Sequence, residues 1–172
     1  MKITTKQITL TALLLALGVV LPQAFHMIPN AGSVILPMHI PVLIAGFAVG
    51  PVLGCIDGIL TPILSSMIFG MPPAPYLPSM VCELAVYGLC TGLFNRYIKI
   101  ENAYAKAYVV LILSMLCGRL TYGVLNALIF RAGNYSLQVW LTSAFVTGLP
   151  GIIIQLVLIP VLIVRLQKAN LI

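Results

Sequence analysis

The sequence predicts an all-α integral membrane protein of six transmembrane helices with both termini cytoplasmic, and three observations carry the prediction. The chain is apolar: 61% of its 172 residues are hydrophobic and 7% charged, where a soluble domain carries about a quarter charged. The apolar residues fall in long blocks, and backbone inside a bilayer must satisfy its own hydrogen bonds, so such blocks read as helices. Seven of the nine Lys and Arg flank those blocks, as topology signals do, so the net charge of +6 does not indicate nucleic acid.

The first run, residues 8–25, follows Lys2 and Lys6. It could mimic a signal peptide, but no A-x-A-like site follows, and it reads as a first span. A polar stretch bearing Pro and Gly, 26–33, comes next. Runs 36–50 and 56–69 are short, with Gly50-Pro51 and the stretch up to Asp57 between them. Length alone leaves them ambiguous. After the turn at 70–75 come 76–94, 107–130 and 137–164. Charge settles the count. With six spans and the N-terminus inside, the cytoplasmic set is Lys2, Lys6, Arg96, Lys99, Lys106, Arg165 and Lys168, and only Arg131 is outside. Merging 36–70 into one span would put the 96–106 cluster and the C-terminus outside, against the positive-inside rule. Asp57 then falls near the tight inner turn between the second and third spans.

The chain reads as one domain, residues 1–172, with no inverted repeat visible. No G-x-x-x-x-G-K-[ST] run is present, so ATP hydrolysis through that motif is excluded. Cys55, Cys82, Cys90 and Cys117 form no C-x-x-C pair and read as packing residues. His26 and His39 are too few and too badly spaced for a metal site, and no cofactor is expected.

Two charges sit where charge is costly. Glu83 and Arg119 lie deep in apolar runs, where a lone ionised side chain costs about 2.5–3.5 kcal/mol on insertion scales. Such groups pair, or face a cavity that handles a polar solute. Arg119, Tyr122 and Asn126 are spaced i, i+3, i+7 on one face of the fifth span. Glu83 and Tyr87 share a face of the fourth, with Ser79 one turn outward. Thr147, Gly151 and Gln155 recur at i, i+4, i+8 on the sixth, beside the ladder-breaking Pro150. Polar faces on three consecutive spans are expected to converge on one cavity in the outer-to-middle bilayer. A structural Glu83–Arg119 pair locking the two spans is the alternative, and the two readings overlap. Two outer loops are expected to act as lids: 23–35, with His26, Asn30, Gly32 and Ser33, and 70–76, stiffened by prolines, where Met71 and Tyr76 could close over a solute. His39 stands near the cavity mouth, Arg131 is expected to snorkel to headgroups, and Trp140 to anchor at the interface. Ala12 and Ala16 form a small-xxx-small pattern, followed by Gly18, that lets another helix approach.

Several stretches carry a resemblance over essentially the whole chain: Leu36-Pro37-Met38-His39-Ile40-Pro41, Ala45-Gly46-Phe47, Gly50-Pro51, Leu60-Thr61-Pro62, Gly70-Met71-Pro72-Pro73, and Glu83-Leu84-Ala85 with Tyr87-Gly88. The chain resembles the substrate-binding S components of energy-coupling factor (ECF) vitamin transporters. The resemblance implies a multi-pass protein of a prokaryotic cell membrane that binds a vitamin from outside with high affinity. It implies delivery of that solute when docked on a coupling membrane subunit and two ATPases, as an ABC-type importer. It implies that Ala12 and Ala16 contact the coupling subunit, and that the site lies between spans four to six under the outer loops. The L-P-M-H-I-P and G-M-P-P stretches look most like the pantothenate type. There Arg119 would hold a carboxylate through paired charge-assisted bonds, and Glu83, Tyr87, Tyr122 and Asn126 would take hydroxyls and an amide. Hydroxymethylpyrimidine, pyridoxine-like compounds, folate and cobalamin remain open. A membrane enzyme would need clustered acids, and the chain has three, two of them expected near the inner side. A small oligomeric channel would line a through-pore, whereas here the polar faces gather toward one side.

Overall fold

The computed structural model describes residues 3–25, 31–133 and 135–172. Among these, six helices are long and apolar enough to cross a membrane, and the expected all-α architecture is observed. Helix α1 (Thr5–Ala24) starts in a capping box: the Gln7 amide donates to the Thr4 hydroxyl at 3.3 Å, and the Thr4 amide donates to the Gln7 side chain at 3.0 Å. A short helix α2 (Ala31–Ile35) leads into α3 (His39–Val49), then come α4 (Pro51–Phe69), α5 (Leu77–Tyr97) and α6 (Ala103–Leu125). Helix α6 runs on through a π-helical turn, Asn126–Phe130. A five-residue helix α7 (Leu137–Leu141) and a second π-helical stretch (Thr142–Thr147) precede α8 (Leu149–Lys168).

Helix α3 is the centre of the bundle. Its sequence is apolar on every side, and a helix of that kind must be surrounded. It packs against α1, α4, α5 and α8, and every residue from His39 to Phe47 is buried. Three glycines bring α3, α4 and α5 together backbone to backbone. A Cβ on Gly54 would stand 2.8 Å from the Gly88 carbonyl oxygen and 2.9 Å from Gly46 Cα, and one on Gly88 would collide with the Gly54 carbonyl. Small residues allow such close crossings in membranes, where packing rather than water exclusion drives association. The outward faces of α6 and α8 (Leu116, Leu120, Val124; Ile153, Val157, Val161) are exposed apolar surface suited to lipid. Lys6 Nζ donates to the Asn170 carbonyl at 3.2 Å, so the two chain ends lie at the same end of the bundle.

Several expectations are corrected. The run 137–164 is not one span: the helix breaks at Gly148, and the crossing segment is Leu149–Lys168. Pro150 sits in the first turn of α8, where its missing N–H and fixed φ suit a helix start. The second crossing segment begins earlier than expected, at Gly32, because α2 extends it outward across a left-handed residue, Leu36 (φ 54°). The loop expected over 23–35 is thereby shortened at both ends, since Gln23 and Ala24 belong to α1 and 31–35 to α2. Gly18 does not share the outward face of Ala12 and Ala16. It is buried against Thr61 of α4. Asp57 lies less than two turns into α4 from the Gly50–Pro51 turn, and is fully buried there.

Gly88→Ala is expected to lower stability by about 1–3 kcal/mol, because backbone cannot move aside for the methyl. Gly32→Ala, with open space around it, is expected to change it by less than about 0.5 kcal/mol. Denaturation of the two purified variants in detergent checks the contrast.

Candidate functional site

The buried charges meet. Arg119 Nη1 lies 3.0 Å from Glu83 Oε1, with both side chains almost wholly enclosed. The Tyr87 hydroxyl donates to the same carboxylate oxygen at 3.2 Å, and His39 Nε2 stands 3.8 Å from the other. The His39 and Tyr87 rings meet edge-on with centroids 5.3 Å apart. Local sequence explains the assembly. Glu83 and Tyr87 are one turn apart on α5. Gly118, beside Arg119 on α6, leaves the space that the Tyr87 ring fills, and a Cβ there would overlap it. Gly148 plays the same part at the start of α8: a Cβ there would stand 3.2 Å from Arg119 Nη2.

Other predicted residues are enclosed on α6 and α8. Gln155 is buried on α8 and donates to the Leu36 carbonyl at 3.4 Å, tying α8 to the link between α2 and α3. Gly151, one turn earlier, presses against the Ile35 carbonyl. Asn126 is fully buried at the start of the π-helical turn, and its Nδ2 donates to the Tyr122 carbonyl at 2.8 Å. Tyr122 is half-buried.

The cluster is not fully satisfied. Arg119 Nε, Asn126 Oδ1 and both ring nitrogens of His39 are buried without a hydrogen-bond partner. Buried polar groups are nearly always paired, and each unpaired one costs about 1–3 kcal/mol. Donor and acceptor capacity is therefore held open beside an ion pair. Glu83 occupies only Nη1 of the guanidinium, so the Nε edge is the free one.

Two predicted residues do not join. Thr147 is exposed at the end of the second π-helical stretch and lines a shallow depression of about 340 Å³ with Gln138, Thr142 and Ser143. The helix break at Gly148, between Thr147 and α8, interrupts the i, i+4, i+8 register that would have aligned it with Gly151 and Gln155. Met71 is 38% exposed on the 70–76 loop. Asn30, like His26, lies outside the described residues. A second groove, of about 260 Å³, opens beside Gly123, Val124, Tyr135 and Trp140, and neither depression includes Glu83 or Arg119.

Two contacts were not foreseen. Trp140 is no simple interface anchor: its indole Nε1 donates to the Arg119 carbonyl at 3.1 Å, and its ring lies over Gly123. Only a bare glycine on α6 admits that stacking, and Gly123 was the available signal. Arg131 stacks on Tyr76, 4.5 Å from the ring centroid, with Tyr135 at 6.0 Å, rather than reaching out to headgroups. It thus links the 70–76 loop to the segment after α6. Ala12 and Ala16 lie on an uncovered face of α1 with Leu13, Leu17 and Val20.

The fold and this cluster define a polytopic helical membrane protein that keeps a charged polar core inside its bundle. The chain belongs to the family of ECF transporter substrate-specific components, whose family model matches residues 6–163. Membership makes it the substrate-specific subunit of a transporter, which works in a membrane complex with coupling and ATPase subunits. Comparisons with curated proteins and with solved structures gave no match.

Glu83→Gln and Arg119→Met are each expected to cost about 3–5 kcal/mol, since each leaves a buried charge unpaired. The double variant is expected to cost about 2 kcal/mol less than their sum. Unfolding of the three variants in detergent measures this coupling, and strict additivity would mean that the pair does not interact.

Proposed function

We propose that this chain captures a vitamin-sized solute at the Glu83–Arg119 cluster and hands it on when docked on a coupling subunit with two ATPases. The observation that carries the reading is the set of buried, unpartnered groups on the helices that bring the ion pair together: Arg119 Nε and Asn126 Oδ1 on one helix, and the His39 ring beside Glu83. A solute offering both hydrogen-bond donors and acceptors would satisfy them and recover their desolvation cost. Tyr87 and Gln155 hold the framework, and Tyr122 adds a half-buried phenol at its edge.

Pantothenate is the specific solute we favour. Its carboxylate suits the free Nε edge of Arg119, and its amide and hydroxyls suit Asn126, Tyr122 and His39. One observation favours a second reading. Glu83 already neutralises Arg119 at 3.0 Å, and an added carboxylate would be repelled by it. A neutral polar solute, such as a pyridoxine-like or hydroxymethylpyrimidine compound, avoids that repulsion. Arg131, held on Tyr76 and Tyr135, supports a closing role for the 70–76 loop, with Met71 at its start.

For docking, Ala12 and Ala16 are the residues we assign to the coupling subunit. They present small side chains on an uncovered helix face, which suits close helix approach.

Isothermal titration of the purified chain with pantothenate, pyridoxine and hydroxymethylpyrimidine tests the reading. One of them is expected to bind tightly and stoichiometrically, and Arg119→Gln to weaken it about 100-fold, as loss of a charged hydrogen bond does. Absence of tight binding by all three, or unchanged affinity in a folded Arg119→Gln, would refute the site. Ala16→Trp is expected to leave that affinity intact while blocking co-purification with the coupling subunit. Lost affinity in this variant would instead place the first span in the pocket.

A further inference from the structure

Helix α4 carries a polar line that the solute site does not use. Asp57, Thr61 and Ser65 recur at i, i+4, i+8 on one face, and all three are fully buried. Asp57 stands about 9 Å along the helix from its first residue, Pro51, which is inside the bilayer for a spanning helix. Neither carboxylate oxygen of Asp57 has a hydrogen-bond partner, and the hydroxyls of Thr61 and Ser65 have none either. Among the described residues, the ion pairs formed all go to Glu83, so no cationic side chain answers Asp57.

The two hydroxyls differ from others in the chain. Thr9, Thr11, Ser114 and Thr121 each donate to the carbonyl four residues back, at 2.8–3.0 Å. That is how a helix ordinarily absorbs such a group. Thr61 and Ser65 decline this bond while being fully enclosed. Between them stands Pro62, which has no N–H to offer the Gly58 carbonyl one turn earlier. Thr61, in the middle of the line, is held against Gly18 of α1. A carboxylate and two hydroxyls, all unpartnered, therefore lie along one enclosed face of α4 with one uncompensated negative charge, and the carbonyl released by Pro62 belongs to the residue after Asp57.

We propose that Asp57, with the Thr61 hydroxyl and the Gly58 carbonyl, binds a monovalent alkali cation of sodium size. Hard oxygen donors select alkali and alkaline-earth ions over softer metals, and a single carboxylate balances a single charge. Ser65 continues the polar line one turn toward the outer end of α4. The ion removes the cost of an unpaired buried carboxylate and ties α4 into the seam with α1, the helix whose other face is free. This site is separate from the Glu83–Arg119 cluster and stands whether or not that cluster holds a solute.

Thermal unfolding of the purified full chain in detergent is the test, with sodium chloride exchanged for choline chloride at constant ionic strength. At a hundredfold excess over its Kd, sodium is expected to raise the melting temperature by about 5 °C, and choline to leave it unchanged. Asp57→Asn is expected to melt independently of sodium. Thr61→Val keeps both the carboxylate and the shape against Gly18, and is expected to need about tenfold more sodium for the same rise. It also serves if Asp57→Asn fails to fold. Equal melting of the native chain in sodium and choline overturns the proposal and leaves a proton as the group that neutralises Asp57. A sodium response that survives unchanged in the variants overturns it as well.

Discussion

The buried pair of Glu83 and Arg119 is the constraint around which the outer half of this bundle is arranged. Neither charge is tolerable alone at that depth, so α5 and α6 must present them to each other. Everything nearby serves that meeting. Tyr87 donates to the carboxylate and fits into the space left by Gly118, His39 closes the other side from the central helix, and Gly148 lets α8 begin directly against the guanidinium. Trp140 then grips the Arg119 carbonyl from outside, so the arginine is held by its backbone as well as its side chain. An ion pair this enclosed is weak evidence for stability in its own right, since desolvation offsets much of the attraction. Its retention beside unpartnered donors and acceptors is what directs attention to a solute.

Much of this arrangement was legible in the sequence, because membranes make charge and hydropathy unusually informative. Six spans followed from the apolar blocks and from the placement of Arg96, Lys99 and Lys106. The meeting of Glu83, Tyr87 and Arg119, and the burial of Asn126 and Gln155, followed from helical spacing. The failures have a common physical origin in departures from regular α-helix. Thr147 was placed by counting turns across Gly148, where the helix breaks between the π-helical stretch and α8, and there the count does not hold. The break at Gly148 interrupts an apolar run, and the left-handed Leu36 joins α2 to α3, without a hydropathy change that marks either. Which of two nearby faces of a helix turns inward was equally hidden: Gly18 faces α4 while Ala16, two residues earlier, faces out.

The bundle separates its tasks by helix. Helix α3 is the buried axis, locked to α4 and α5 by glycines that forbid side chains. Helices α5 and α6, with His39 of α3, carry the outer polar cluster, and the segments beyond α4 and α6 meet through Arg131, Tyr76 and Tyr135. Helix α1 faces two ways, with Gly18 on the core and Ala12 and Ala16 uncovered. Under the proposed function, this division would put solute contacts and subunit contacts on different helices. Changes at one can then be made without rebuilding the other.

A solved structure of the chain with its bound solute tests the central claim most directly. The account predicts solute density within hydrogen-bonding distance of Arg119 Nε and Asn126 Oδ1, with His39 turned toward it and the ion pair to Glu83 retained. Density confined to the groove beside Gly123 and Trp140, with those atoms still unpartnered, would contradict it.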